Sequence, residues 1–349
     1  MTDTLNVALV GFGFVGKVFH APLIAASPGL HLHTVVSSRP DDVHADLADV
    51  RVVPALDDVL HDASVDLVVI ATPNQLHAPQ AHAALQAGKH VVVDKPFTVS
   101  VDEAQAVIDH ATRADRILSI FHNRRYDSDF VTLRYLIAGG ALGEVTQFES
   151  HFDRFRPEPR SRWREQPGPG AGLWFDLGSH LVDQALQLFG APLGITADIA
   201  VQRDGGVTDD YFHVLLRYAR TRVILHASTL MAAHDLRFSV HGTAGSFVKH
   251  GMDSQEDALK EGRTPGDAGW GADAHPGTLT TVTGEDTSTT RTVPGIPGDY
   301  RHFYAAVRGA ILGTGANPVP GAEALAVMEL LAAGIESSVA RREIELRTA

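Results

Sequence analysis

Three groups of residues have types and spacings that could do chemistry. In the run Gly172-Leu173-Trp174-Phe175-Asp176-Leu177-Gly178-Ser179-His180-Leu181-Val182-Asp183, Asp176 and His180 lie four apart. On a helix they share a face, with Asp183 three residues on and Leu177, Leu181, Ala185 and Leu188 as an apolar stripe beside them. An imidazole titrates near neutral pH and can accept a hydroxyl proton, and a carboxylate alongside can orient the imidazole or a substrate. The same spacing also suits a polar helix face with a satisfied core histidine. Lys95, in Val93-Asp94-Lys95-Pro96, follows an apolar strand. Pro96 disfavours helical geometry at Lys95, so the lysine is expected extended at the strand tip. A cation there can bind a reacting oxygen and favour its alkoxide-like form, or it is a surface lysine.

The third group is Gly11-Phe12-Gly13-Phe14-Val15-Gly16, between the strand Leu5–Val10 and a helical segment reaching about Ala26. Gly11 permits a tight turn, Gly13 lets the backbone approach a pyrophosphate, and Gly16 allows close helix–strand packing. The helix N-terminus then offers free N–H groups and positive potential to the anion. A ligand-free glycine turn is the alternative. Where an NAD site usually places a carboxylate, at the end of the second strand, the sequence reads Val35-Val36-Ser37-Ser38-Arg39. Two hydroxyls and a guanidinium suit a 2′-phosphate, which favours NADP; NAD bound through Asp41 is the alternative.

Candidates for substrate contacts are Asn123, Arg124, His151, Arg154, Arg156 and Trp163, with Tyr300 and Tyr304 in second place. Polar donors with an aromatic surface suit a polyhydroxylated ring; structural salt bridges and packing account for such residues equally well. The stretch Pro157–Gly172, rich in Pro and Gly, has the composition of a mobile flap.

The elements that must position these groups fall into two halves. After Leu5–Val10 come strand signals at His31–Ser37, Val65–Ala71, His90–Val93 and Ile117–Phe121. Between them lie helical segments, one capped at Gly88 and one opened by the capping box Ser100-Val101-Asp102-Glu103. Continuous apolar strands alternating with helices predict a parallel, doubly wound sheet. Beyond it, a helix near Ser128–Ala138 precedes strand signals at Glu144–Phe152, Ala197–Gln202, Tyr211–Tyr218, Arg222–Thr229, Arg237–His241 and Ser246–Lys249. Residues 251–275 read as a surface excursion, and helices near Asp299–Leu312 and Ala322–Arg341 finish the chain. The fold class is α/β. Residues 1–122 form an N-terminal Rossmann domain, and residues 123–349 form a C-terminal α/β domain on a mostly antiparallel open sheet, whose last helices can pack back on the first.

Composition removes several classes of function. With 349 residues, 44% hydrophobic and 20% charged, the chain is an ordinary two-domain globular protein. A formal charge of −13 repels nucleic acid and acidic membranes. Apolar runs have strand length, short of a membrane span. No secretory signal is visible from Met1 onward, and the absence of cysteine suits a reducing compartment, so a cytoplasmic location is expected. The 19 histidines are scattered, with no linear metal-ligand spacing.

The glycine loop, Thr72-Pro73-Asn74 with His77, Asp94-Lys95-Pro96 and Asp176-Leu177-Gly178-Ser179-His180 occur in one order. Together they resemble the Gfo/Idh/MocA oxidoreductases, named for glucose-fructose oxidoreductase and inositol dehydrogenase, over almost the whole chain. The runs Phe121–Asp127 and Glu149–Pro157 narrow the resemblance to the branch holding NADP-dependent scyllo-inositol dehydrogenases. Asp94 stands where the family often has Glu. The resemblance implies that Lys95 holds the substrate hydroxyl, Asp176 positions substrate and His180, and His180 takes the hydroxyl proton as hydride leaves for the nicotinamide. It further implies that Thr72, Pro73, Asn74 and His77 line the nicotinamide-ribose end, that no metal is needed, and that the chain forms a homo-oligomer, dimer or tetramer. The expected substrate is a small polyol or sugar. Rival readings are a non-catalytic NADP-binding sensor and, among enzymes, a dihydrodiol dehydrogenase or an imine or tetrapyrrole reductase.

Overall fold

The computed structural model describes residues 4–284 and 287–346; residues 1–3, where the reading of the N-terminus begins, lie outside them. The chain forms two compact units. One contains the residues up to Tyr126 together with Gln255–Trp270 and Asp299–Leu325. The other contains Asp127–Ser254, Gly271–Gly298 and the chain from Ala326 on.

The first unit holds six strands, β1 (Leu5–Val10), β2 (Leu30–Val36), β3 (Arg51–Val53), β4 (Leu67–Ile70), β5 (His90–Val93) and β6 (Leu118–Ile120). They pair in parallel in the order β3-β2-β1-β4-β5-β6. Every residue of β4 is buried, as is Val91–Val93 of β5, which accounts for their unbroken apolar runs. The order reverses between β1 and β4, the place where ligands gather in such sheets. Ser100 caps the helix Val101–Ala114 by accepting from the Glu103 N–H at 3.2 Å, as its capping box predicts. β3 carried no sequence signal: three residues are too few for a period to show.

The surface excursion expected at 251–275 is corrected in part. Within Gln255–Trp270 a short helix, Gln255–Lys260, buries Gln255 and Leu259, and Trp270 is buried as well. The Gln255 amide is the anchor. Its oxygen accepts from Tyr300 N at 2.8 Å and Trp270 Nε1 at 3.1 Å, and its nitrogen donates to Tyr126 O at 3.1 Å. One buried amide satisfied by three distant segments leaves no local pattern to read.

The second unit holds nine strands: β7 (Val145–His151), β8 (Gly194–Ala200), β9 (Tyr211–Arg217), β10 (Arg222–Ser228), β11 (Leu236–Gly242), β12 (Gly245–His250), β13 (Gly277–Gly284), β14 (Thr287–Val293) and β15 (Ile344–Glu345). Their order is β14-β13-β12-β11-β7-β10-β9-β8-β15, and every neighbouring pair is antiparallel except β10 with β7. Alternate residues, among them Phe148, Phe212, Val214, Val223, Leu225, Phe238 and Val240, are buried. Arg237 of β11 ties helices to the sheet. Fully buried, it donates to Ser150 Oγ and Gln184 Oε1 at 2.7 Å each and pairs with Asp129 at 3.4 Å, Asp129 and Gln184 coming from the helices Ser128–Ala138 and Ser179–Phe189. Its guanidinium also stacks on Phe152 and Phe238. No helix among the described residues is long and apolar enough to cross a membrane.

Candidate active site

In the first unit, the glycine loop leaves the carboxyl end of β1 with Gly11 at φ +95°, a conformation that side chains resist. A Cβ on Gly11 would meet Ala71 O, just past β4, at 2.8 Å, so the loop sits against the neighbouring strand end. Gly16 is packed so closely on the Gly11 carbonyl that no side chain fits there. Gly13, by contrast, is exposed with nothing within 4 Å of where a Cβ would stand. Tight at both ends and open in the middle, the loop has the cradle a dinucleotide pyrophosphate requires, and the chain turns helical directly after it over Gly16–Ala25, opening with a π-helical turn. Phe12 is buried, Phe14 is exposed and Val15 lies between.

Beyond β2, Ser38 and Arg39 are exposed and Ser37 is half-buried. Arg39 N donates to Ser37 Oγ at 3.1 Å, and the Arg39 guanidinium lies 3.0 Å from Asp42. No carboxylate occupies the strand end itself.

His77 joins two other predicted segments. Fully buried at the start of the helix His77–Gln86, it has Nε2 2.9 Å from Thr72 O and Nδ1 3.0 Å from Pro96 O. One imidazole thus fixes the chain after β4 to the chain after β5. Burial pushes it below the ordinary histidine range, against the pull of Asp94 and of the carbonyls. Asn74 is buried, Thr72 Oγ1 donates to Gln80 at 2.7 Å, Lys95 is half-buried, and the Lys95–Pro96 peptide is cis.

The sequence reading missed what stands behind Lys95. His20, Tyr304 and Asp94 are all buried. His20 Nδ1 lies 2.6 Å from Tyr304 Oη, and its Nε2 is 3.6 Å from Asp94 Oδ1, an electrostatic contact. Burial works against ionisation of Asp94, yet His20, Lys95 and His77 together hold its carboxyl below the usual carboxylate range. Burial, with Asp94 nearby, drives the Tyr304 hydroxyl well above its ordinary value. With His20 and Tyr304 separated by 284 positions, no spacing rule could pair them. Asn123 and Arg124 belong to this unit, in the 3-10 turn Asn123–Tyr126; both are buried, and Arg124 pairs with Glu256.

In the second unit, Asp176 and His180 occupy one helical stretch, a π-helical turn Trp174–Gly178 running into Ser179–Phe189. His180 is buried, its ring edge-on to Phe152; Asp183 is buried too. Asp176 is more exposed and lies 3.4 Å from Arg164. It forms part of the wall of an open concavity of about 410 Å³ with Arg154, Arg156, Arg162, Arg164 and Arg203. Acid partners run through this cluster: Arg203 pairs with Asp210 at 2.9 Å and Glu165 at 3.1 Å, and Glu165 also pairs with Arg162 at 2.9 Å. Trp163 starts the 3-10 turn Trp163–Glu165, with the Arg164 guanidinium 4.6 Å from its ring centroid. His180, Trp163 and His151 do not line the concavity. His151 closes β7 and lies 3.1 Å from Asp153.

Asp209 was also missed. Its carboxylate accepts from Trp174 N at 2.6 Å and its carbonyl accepts from Leu173 N at 2.9 Å, which satisfies the N-terminus of the helix bearing Asp176 and His180. Burial pushes the Asp209 carboxyl up to about 6, and Asp210 adds to this, while the N–H groups it accepts from oppose it. A cap supplied from 35 residues away leaves no mark beside the helix.

Known proteins complete the picture. Residues 5–122 match the model described as oxidoreductase family, NAD-binding Rossmann fold, and residues 134–346 match oxidoreductase family, C-terminal alpha/beta domain. The uncharacterised oxidoreductase YdgJ of Escherichia coli is 52% identical over 338 residues, 97% of each chain. The scyllo-inositol 2-dehydrogenase (NADP(+)) IolW of Bacillus subtilis is 39% identical over 346 residues, 99% of this chain and 96% of that one. The solved structure of the YPO2259 oxidoreductase from Yersinia pestis superposes with a TM-score of 0.96 at 48% identity, covering 100% of this chain and 99% of the other. Matched in both domains and along nearly its full length, the chain belongs to the Gfo/Idh/MocA family of oxidoreductases and is an enzyme of the dehydrogenase kind.

Proposed function

We propose that this enzyme uses NADP to interconvert a secondary alcohol and a ketone on a sugar or inositol. The observation that carries the reading is the gathering of the phosphate cradle, the Thr72–His77 segment and Lys95 at the carboxyl edge of one parallel sheet, with the His77 ring lodged between the carbonyls of Thr72 and Pro96. The nicotinamide, when bound, accepts or returns the hydride. Ser37, Ser38 and Arg39 hold the 2′-phosphate, since hydroxyls and a guanidinium suit a dianion and the strand end offers no carboxylate to a free ribose. Lys95 binds the reacting oxygen through its ammonium group and lowers the cost of its alkoxide character. Asp94 beside it is held below the usual carboxylate range despite its burial and so stands there as an anion. His180 takes the hydroxyl proton in oxidation and gives it back in reduction. Asp176 positions the substrate, with Asn123, Arg124, His151, Arg154 and Trp163 as further substrate contacts. The 39% identity to a protein that carries NADP and scyllo-inositol in its name supports both halves of the reading.

A direct assay mixes the protein with NADP and a panel of inositols, aldoses and polyols and follows the absorbance of the reduced nicotinamide. Turnover on at least one cyclic polyol or sugar, faster with NADP than with NAD, is expected. Tight NADP binding with no turnover across the panel points instead to a sensor.

A further inference from the structure

The second unit carries a group of side chains to which no proton or hydride step has been assigned, although one of them, His151, is proposed above as a substrate contact. β10 runs between β7 and β9, and its His226 is in direct register with His151 on one side and His213 on the other. The three imidazoles therefore form a row across three adjacent strands, with ring centroids 5.2 Å and 5.4 Å apart. Asp153, just past the end of β7, sits between two of them. Its Oδ2 is 3.1 Å from His151 Nδ1 and its Oδ1 is 3.4 Å from His226 Nε2. The Ser228 N–H donates to Oδ1 at 2.9 Å and fixes the carboxylate. Donor atoms of His151, Asp153 and His226 all lie within 4.8 Å of one another.

We propose that His151, Asp153 and His226 form a binding site for a borderline divalent cation of the Zn²⁺ type, distinct from the proton and hydride steps assigned to Lys95 and His180. Two neighbouring ligands each about 2.1 Å from a tetrahedral ion stand roughly 3.4 Å apart, which matches the two histidine–carboxylate separations. The donor atoms stand up to 4.8 Å apart, so binding requires a ring to turn inward. The wiring outside the donor atoms points the same way. Each histidine turns one nitrogen towards Asp153; His226 Nδ1 is 3.4 Å from His213 Nδ1, while His151 Nε2 makes only an electrostatic contact, 3.6 Å from Glu149 Oε2. A metal-bound imidazole donates its remote N–H to such a partner, which fixes its tautomer and orientation. Asp153 and the His226 side chain are buried and His151 is mostly so, so the ion would sit in a site shielded from bulk water. Two nitrogens and a carboxylate leave a fourth position for water, and this donor set suits Zn²⁺ better than Mg²⁺ or Ca²⁺.

The test uses the full chain without a histidine tag, stripped with a chelator. Co²⁺ titration followed by visible absorption should saturate at one ion per chain with the intense bands of a tetrahedral site, and Zn²⁺ should displace it. His226→Gln and Asp153→Asn should each weaken uptake by ~100-fold or more. His213→Gln, which removes only an outer partner, should weaken it by ~10–100-fold. Thermal melting checks that each variant folds. Anomalous scattering at the zinc edge from zinc-soaked wild-type crystals locates the ion without any variant. Saturation at one ion, together with an anomalous peak between His151 and His226, supports the site. Absence of saturable uptake, uptake unchanged in the folded variants, or a peak elsewhere overturns it and leaves Asp153 as a hydrogen-bonding hub between two histidines.

Discussion

At the carboxyl edge of the parallel sheet, the groups assigned to the nucleotide are held mainly by the backbone. Gly11 and Gly16 fit only because they lack side chains, and the His77 ring lies between two main-chain carbonyls. In the second unit, Asp176 lies among side chains: arginines 154, 156, 162, 164 and 203 interleaved with Glu165 and Asp210, on a helix capped by a carboxylate from a distant loop. On the function proposed above, the difference follows from what each region recognises. A nucleotide presents the same phosphates to every enzyme that uses it, and backbone N–H groups suffice for them. A sugar or inositol is distinguished by the arrangement of its hydroxyls, which only placed side chains can read. One region is therefore generic and the other particular.

The comparison predicts that loss of chemistry and loss of cofactor binding separate. Lys95→Ala and His180→Ala should each lower kcat by ~10²–10⁴-fold with NADPH affinity nearly unchanged, read by steady-state kinetics and nicotinamide fluorescence. Equal losses of NADPH affinity in both variants would remove the distinction. Next in size is the cap on the second region. Because the Asp209 carboxyl is raised to about 6 in the folded chain, its contribution to stability is full below the unfolded carboxylate pKa and is lost as pH rises through about 6. Asp209→Asn does not titrate and keeps an acceptor for Trp174 N. Its stability relative to the parent should improve by about 2 kcal/mol between pH 4 and pH 7. A gap that stays constant with pH in urea unfolding contradicts this.

On the nucleotide side, Arg39→Ala should raise KM for NADP by ~10–100-fold and leave KM for NAD almost unmoved, as expected for one lost charge-assisted contact to a phosphate. A matching rise for NAD would place Arg39 outside the 2′-phosphate site. The smallest effect is expected behind Lys95. Tyr304→Phe takes away the hydroxyl beside buried His20 and should cost ~1–3 kcal/mol of stability with little change in kcat. A fall in kcat as large as that of Lys95→Ala would instead put Tyr304 in the proton path.

Much of the first region was legible because its signals are local. The glycine loop, the apolar strands and the Ser100 capping box each act within a few residues of themselves, and each forms as its spacing predicts. Strands β7, β9, β10, β11 and β12 were legible from alternation. β13 and β14 were not: they are threonine-rich, β14 buries only Val293, and hydrophobic period is then no guide. The His20–Tyr304 contact, the Asp209 cap, the Gln255 anchor and the His151–Asp153–His226 group had no signal to find, because each is assembled from residues far apart in the chain.

The central claim is that the chain transfers hydride to a carbinol carbon, and label transfer tests it most directly. The wild-type enzyme is incubated with NADPH deuterated at its hydride position and a panel of keto-sugars and keto-inositols, and the products are read by mass spectrometry. The account predicts deuterium on the new carbinol carbon of at least one product, with the rate of that transfer lowered by ~10²–10⁴-fold in His180→Ala. Tight NADPH binding with no deuterium in any product would contradict it.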